Sequence, residues 1–206
     1  MIGNETGRCQ WAAGQSGADP LMLAYHDTEW GVPVSDDREL FERLALESFQ
    51  AGLAWITILR KRPSFRIAFG GFDPVAIAAF GPAERERLMA DAGIVRNRAK
   101  IEATIGNAAA FLEVVAEYGS FAVYLAGRLP GPPRVLPADT TAADIPAFTL
   151  ESDALSSDLR RRGFRFVGST IVYAFMQSVG LVDDHLPYCF RYCGVDVSAA
   201  RASALE

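Results

Sequence analysis

Three times in the first half of the chain a helix-starting residue is followed at once by proline: Asp19-Pro20, Asp73-Pro74 and Gly81-Pro82. Aspartate accepts from the free amides of a first helical turn, and proline fits that turn because its missing N–H would have no partner there. Each pair is followed by an apolar-periodic segment, whereas alternating β-branched stretches bounded by turns are almost absent. The pattern predicts an all-α fold. Asp19-Pro20 opens a helix towards Trp30, a longer one runs from Asp36 to about Gln50, and another from about Asn97 to Tyr118 is closed by Gly119. Ser152 caps a helix through Arg162, and Ser169 to Val179 forms the last before Gly180. No repeat interrupts this series.

With 206 residues, half of them hydrophobic, the chain is long enough to bury its own core. A single domain over residues 1–206 is expected, with an ordered core of about 7–193. Leu129 to Pro137 (LPGPPRVLP) is the one stretch that reads as a linker between two lobes. No apolar run is long enough to cross a bilayer and the N-terminus lacks a basic segment followed by an apolar core, so a cytoplasmic protein that avoids membranes is expected, with a monomer as the default.

The chain has two histidines, each with a cysteine at a suggestive distance: Cys9 before His26, and His185-x3-Cys189. Two sulfur and two nitrogen donors suit tetrahedral zinc, and four protein ligands would make it structural. Such a site would join the two ends of the chain. Spacing alone leaves equally open that His26 is an ordinary polar residue and that the C-terminal cysteines are small hydrophobes or oxidise together; Cys193 could also replace Cys189.

Within Asp36 to Gln50, Leu40, Leu44, Glu47 and Ala51 fall in one narrow helical sector. Glu47 therefore points towards a core or a cavity. A buried carboxyl must be paired, bonded or protonated, and the plain alternative to a functional role is a salt bridge to a neighbouring arginine. Phe49, Phe65, Phe69 and Phe72 read as core. Tyr25 and Trp55 sit beside polar neighbours, and an aromatic slot closed by a carboxylate suits a planar base bearing an amino group.

A net charge of −5 argues against nucleic acid unless the basic residues are gathered locally. Three segments gather them: Arg60 to Arg62, Arg96 to Lys100, and Arg160 to Arg162 with Arg165. Leu88 to Lys100 (LMADAGIVRNRAK) carries one helix into Ala92-Gly93-Ile94 and starts another with basic residues. That is similar to a helix-hairpin-helix, in which the turn and the next helix's free amides face a DNA phosphate, so Gly93, Arg98 and Lys100 become candidate DNA contacts.

Cys9-Gln10-Trp11, Asp19 to Pro33 (DPLMLAYHDTEWGVP), Glu47 with Ala51 to Ile56 (AGLAWI), Asp91 to Ile94 (DAGI) and Arg162 to His185 (RGFRFVGSTIVYAFMQSVGLVDDH) resemble 3-methyladenine DNA glycosylase I over roughly residues 7 to 190. The resemblance implies a helix-hairpin-helix glycosylase of two helical parts with the base pocket between them. It implies structural zinc on Cys9, His26, His185 and Cys189. It assigns Glu47 and Tyr25 to the edge of the base, Trp55 to its face, and Trp11 and Trp30 to the pocket. Gly52 and Leu53 would meet the gap left in double-stranded DNA. The implied reaction is hydrolysis of the N-glycosidic bond of 3-methyladenine by base flipping, releasing free base without lyase chemistry. A purine-binding module that cuts nothing, or a zinc-stapled interaction domain, would share some of these features but would not release base.

Overall fold

A computed structural model describes residues 7–14, 18–129 and 136–192. The described residues form helices and turns with no strand, as the sequence pattern requires. Ten α-helices follow in order: α1 Gln10–Ala13, α2 Pro20–Thr28, α3 Asp37–Gln50, α4 Trp55–Ala68, α5 Pro74–Ala78, α6 Pro82–Ala90, α7 Arg98–Tyr118, α8 Phe121–Ala126, α9 Leu150–Arg161 and α10 Ser169–Ser178. No described helix is long and apolar enough to cross a membrane.

The chain divides into two compact units that interleave in sequence. One comprises residues 1–34, 131–147 and 176–206, and the other residues 35–130 and 148–175. The division at residue 130 falls inside the proline-rich stretch read as a linker, of which residues 130–135 lie outside the described residues.

The helix starts obey the local chemistry. Asp19 accepts from the Leu21 amide at 2.8 Å, Asp36 from that of Glu39 at 2.8 Å and Asp73 from that of Val75 at 3.0 Å. Asn97 caps α7 by accepting from the Lys100 amide at 3.2 Å. One expected cap is corrected: α9 starts from Thr149, whose hydroxyl accepts from the Ser152 amide, while Ser152 Oγ accepts from the Thr149 amide. Ser152 is thus the reciprocal partner in a capping box, three residues inside the start. Helices α4 and α8 carried no start signal in the reading of the sequence. α4 runs through Pro63 because burial of Ile58, Leu59, Phe65 and Ala68 outweighs the bond that proline removes.

In the second unit α3 is covered on every side: all residues from Leu40 to Phe49 are buried, Glu42, Arg43 and Ser48 included. It is a central helix rather than the one-sided stripe its apolar spacing suggested. Its charged residues are matched from outside the stripe, Glu42 by Arg66 at 2.8 Å and Arg43 by Glu39 at 2.9 Å. Helices α4, α7 and α8 pack on it. Phe49, Phe65, Phe69 and Phe72 are wholly buried and stack in a row, with ring centroids 4.7 Å apart for Phe49–Phe65 and 5.6 Å for Phe69–Phe72. A second aromatic group joins α3, α7 and α8 through Phe41, Phe111 and Phe121.

The first unit is knit from the ends of the chain. Phe190 N–H donates to Gly7 O at 2.6 Å, Gly31 N–H to Gln177 O at 3.1 Å, and Val34 N–H to Val179 O at 3.2 Å. Its small apolar cluster is Cys9, Leu136, Leu186 and Cys189.

Candidate functional site

Two sets of residues singled out by the sequence occupy the two units, one set in each. In the first unit Cys9, His26, His185 and Cys189 come together in the interior, with one ligand atom from each lying within 4.8 Å of all the others. Neither cysteine is in a disulfide. Cys193 lies outside the described residues. Cys189 Sγ is 3.4 Å from His26 Nε2 and 3.5 Å from His185 Nδ1, and Cys9 Sγ is 3.7 Å from His185 Nδ1. The opposite ring nitrogens are held: His26 Nδ1–H donates to Asp27 at 2.8 Å, and His185 Nε2–H to the Trp30 carbonyl at 3.3 Å. Arg8 in turn clamps Asp27 with contacts of 2.8 to 3.0 Å. Each histidine is therefore set in the tautomer that aims a lone pair at the cluster. Backbone amides of Leu186 and Arg191 point at the two sulfurs, both at 3.4 Å. Burial pushes the Cys9 thiol up to about 12 and the His185 imidazole down to about 4, so both are neutral until a cation arrives. The cluster could hold one metal ion.

The candidate aromatic residues of this unit are built onto that cluster. Trp11 lies 5.0 Å from Trp30 and 6.4 Å from Tyr25, centroid to centroid, and edge-on to His26 at 5.4 Å. Trp30 stands edge-on to His185 at 4.7 Å. Tyr25 and Trp30 are buried, whereas Trp11 keeps an exposed face. Sequence reasoning missed Arg8 and Asp27; the signal available was an acid directly after His26 and an arginine directly before Cys9.

In the second unit Glu47 occupies the last turn of α3 and is buried, with Oε2 meeting no hydrogen-bond partner. Arg43, one turn earlier, attracts the carboxylate but bonds Glu39. Glu47 Oε2 is thus left unmet even with an arginine one turn away. Burial pushes the Glu47 carboxyl up to about 8 because desolvation outweighs Arg43. Directly after α3 the chain turns through Gly52 at φ +80°, a conformation open to glycine, and presents Leu53, which is 40 % exposed. Trp55 then opens α4. The carboxyl, the exposed turn and the tryptophan are thus consecutive on one helix-turn-helix segment.

Between α6 and α7, residues 91–97 make the expected hairpin. A Cβ on Gly93 would sit 2.9 Å from both Asp91 Oδ1 and Ser64 Cβ, so only glycine lets the turn close. Arg98 is exposed and pairs loosely with Glu86 at 3.0 Å. Lys100 requires correction: it is buried, and its amine donates to the carbonyls of Phe49 at 2.8 Å and Ala51 at 2.7 Å rather than facing outward to a phosphate. Lys61 likewise donates to Ala92 O at 2.8 Å and Gly93 O at 3.3 Å. In the third basic segment Arg162 binds Glu117 at 2.6 Å and Arg161 binds Asp158 at 2.6 Å. One further feature escaped the sequence reading. Phe166 is held exposed at φ +56° while its neighbours are pinned by Asn107 and Ser156 and its own carbonyl by Ser48.

The described residues thus combine helices without strands, a hairpin, a buried acid followed by a glycine-leucine turn, and a sulfur–nitrogen cluster. A family model described as methyladenine glycosylase matches residues 13–192, and the chain belongs to that family. It is similar to DNA-3-methyladenine glycosylase 1 of Escherichia coli (strain K12), 49% identical over 187 residues that cover 91% of this chain and 97% of the relative. A crystal structure of 3-methyladenine DNA glycosylase I superposes with a TM-score of 0.84 at 48% identity, covering 90% of this chain and 99% of that one. A variant of 3-methyladenine DNA glycosylase I in complex with 3-methyladenine matches with a TM-score of 0.83 at 36% identity, over 89% of this chain and 98% of that one.

Proposed function

We propose that this protein hydrolyses the N-glycosidic bond of 3-methyladenine in double-stranded DNA, taking the damaged nucleotide out of the stack and leaving an abasic site. The observation that carries the reading is the Glu47 carboxyl, buried at the end of α3 with an unmet acceptor and followed along the chain by the Gly52-Leu53 turn and Trp55. A buried acceptor without a donor is costly in the free protein, and a ligand bearing an amino group and a positive charge removes that cost.

Methylation at N3 places positive charge on the purine and makes it a good leaving group, so the protein need supply little proton transfer. Glu47 accepts from the amino edge of the base and favours the cation over neutral adenine. Trp55 stacks on its face; such stacking is worth about 1–3 kcal/mol, which offsets part of the few kcal/mol needed to unstack the nucleotide. Tyr25 meets the edge of the base, and Trp11 and Trp30 line the pocket. Gly52 and Leu53 enter the gap, and the hairpin at Gly93 with Arg98 holds the backbone. Both lysine amines of the chain donate to backbone carbonyls. Neither is free to form a Schiff base, which supports a monofunctional enzyme; borohydride should trap no covalent adduct through Lys61 or Lys100.

The donor set fits zinc. Zn–S near 2.3 Å and Zn–N near 2.0–2.1 Å in a tetrahedron place sulfur and nitrogen about 3.6 Å apart, and the three sulfur–nitrogen distances above are 3.4, 3.5 and 3.7 Å. When bound, zinc supplies a structural cross-link and no open position for water.

Incubation with methylated DNA followed by chromatography of the released bases tests the function. Free 3-methyladenine is expected from the wild type and little from Glu47→Gln. Purine binding with no release from any substrate would leave only the binding-module alternative.

A further inference from the structure

The chain has two lysines, and both amines are bonded to backbone carbonyls of turns, Lys100 at the end of α3 and Lys61 in the hairpin. Lys100, in the first turn of α7, reaches back to Phe49 O and Ala51 O at the C-terminal end of α3. These carbonyls lie past the last intrahelical donors, where the chain leaves α3 through Ala51 and Gly52 in a turn closed by Leu53 N–H on Gln50 O. A cation at a helix C-terminus is favourable. Here, however, it comes from the second helix of the hairpin, and the Lys100 amide is itself fixed by the Asn97 cap. Lys61, on α4, reaches the opposite way, to Ala92 O and Gly93 O of the hairpin turn. The segment 51–54 joins α3 to α4. The helix before it is thus tied to α7, and the helix after it to the hairpin turn.

We propose that Lys100 and Lys61 are positioning residues that lock the Gly52-Leu53 turn and the hairpin into one rigid body, so that the grip on a backbone phosphate sets where Leu53 enters the duplex. This rests on the functional reading above. Simple helix capping would need only Lys100 and would not call for a second ammonium running from α4 to the hairpin turn. Rigid coupling converts binding at the phosphate into orientation at the lesion, the general use of residues that hold a site from behind.

The test separates base binding from extrusion. Wild type, Lys100→Met, Lys100→Arg and Lys61→Met are compared in three measurements: affinity for free 3-methyladenine, fluorescence of 2-aminopurine placed beside the lesion, and single-turnover base release. For Lys100→Met we expect free-base affinity within about twofold of wild type, with base release and the fluorescence signal each down at least tenfold. Lys61→Met is expected to lose less, and Lys100→Arg to recover most of the loss. In a Leu53→Ala background, Lys100→Met should add less than twofold, because both changes disable the same entry step. Equal loss of free-base binding and excision would mean that Lys100 only holds the fold, and full additivity with Leu53→Ala would mean that it acts elsewhere. Either result overturns the proposal, as does unchanged extrusion. Should Lys100→Met not fold, Lys61→Met and Lys100→Arg decide by the same criteria. Absence of base release from the wild type would refute the glycosylase reading instead.

Discussion

The two candidate sites differ in how their functional polar groups are met. At Cys9, His26, His185 and Cys189, Asp27 and the Trp30 carbonyl take the imidazole N–H groups, and amides face the sulfurs. Around Glu47 one carboxylate oxygen has no partner, although arginine lies a turn away. Fully partnered groups stabilise a framework, whereas a buried group left wanting is where a ligand is awaited.

That contrast fails first, if it fails, at the cysteine–histidine cluster. With zinc bound there as proposed, Cys9→Ser or His185→Ala should release it and lower the melting temperature by roughly 10 °C or more, because metal binding and folding are linked. Calorimetry with elemental analysis checks both, and an unchanged melting temperature would contradict the structural role.

Glu47→Gln should behave in the reverse manner. Base release should fall by about 10²-fold or more, since a charge aimed at the reacting cation is lost. Stability should rise at alkaline pH. The folded carboxyl is raised from 4.5 to about 8, so between those values the folded chain keeps a proton that the unfolded chain has released. The wild type therefore loses stability as pH rises through that window. The glutamine variant should be more stable by on the order of 2 kcal/mol at pH 8, and the difference should vanish below about pH 4. Urea unfolding at the two pH values measures it.

Asp27→Asn sharpens the comparison with a smaller effect. It leaves four ligands but loosens His26, so metal affinity should drop by about 10–100-fold, as read by competition with a chelator. Smallest is Arg98→Ala. Its exposed pair with Glu86 contributes little to stability. DNA binding should weaken a few-fold and its salt slope should fall by about 1, with free-base binding unchanged.

Much of this was legible in the sequence because it depended on neighbours in the chain. Asp19, Asp36, Asp73 and Asn97 cap helices through bonds spanning two or three residues, whereas spacing alone left the cluster ligands open and the family resemblance supplied them. What was illegible depended on partners far along the chain. Lys100 sits in a basic run at a helix start and reads as a surface cation; only the approach of residues 49 and 51 shows where its amine goes. Glu42 and Arg43 look like a solvent face until Arg66 and Glu39 are seen to meet them. Helix α4 was hidden by Pro63, whose penalty is outweighed only once Phe65 is known to pack on Phe49.

The central claim is that Glu47 is held ready for a cationic purine. A carboxyl ¹³C NMR titration of Glu47, in free protein and with a bound N3-methylated adenine nucleoside analogue, tests it most directly. A midpoint near 8 in the free protein, falling by more than one unit on binding, is predicted. A midpoint at the ordinary glutamate value in both states would contradict the account.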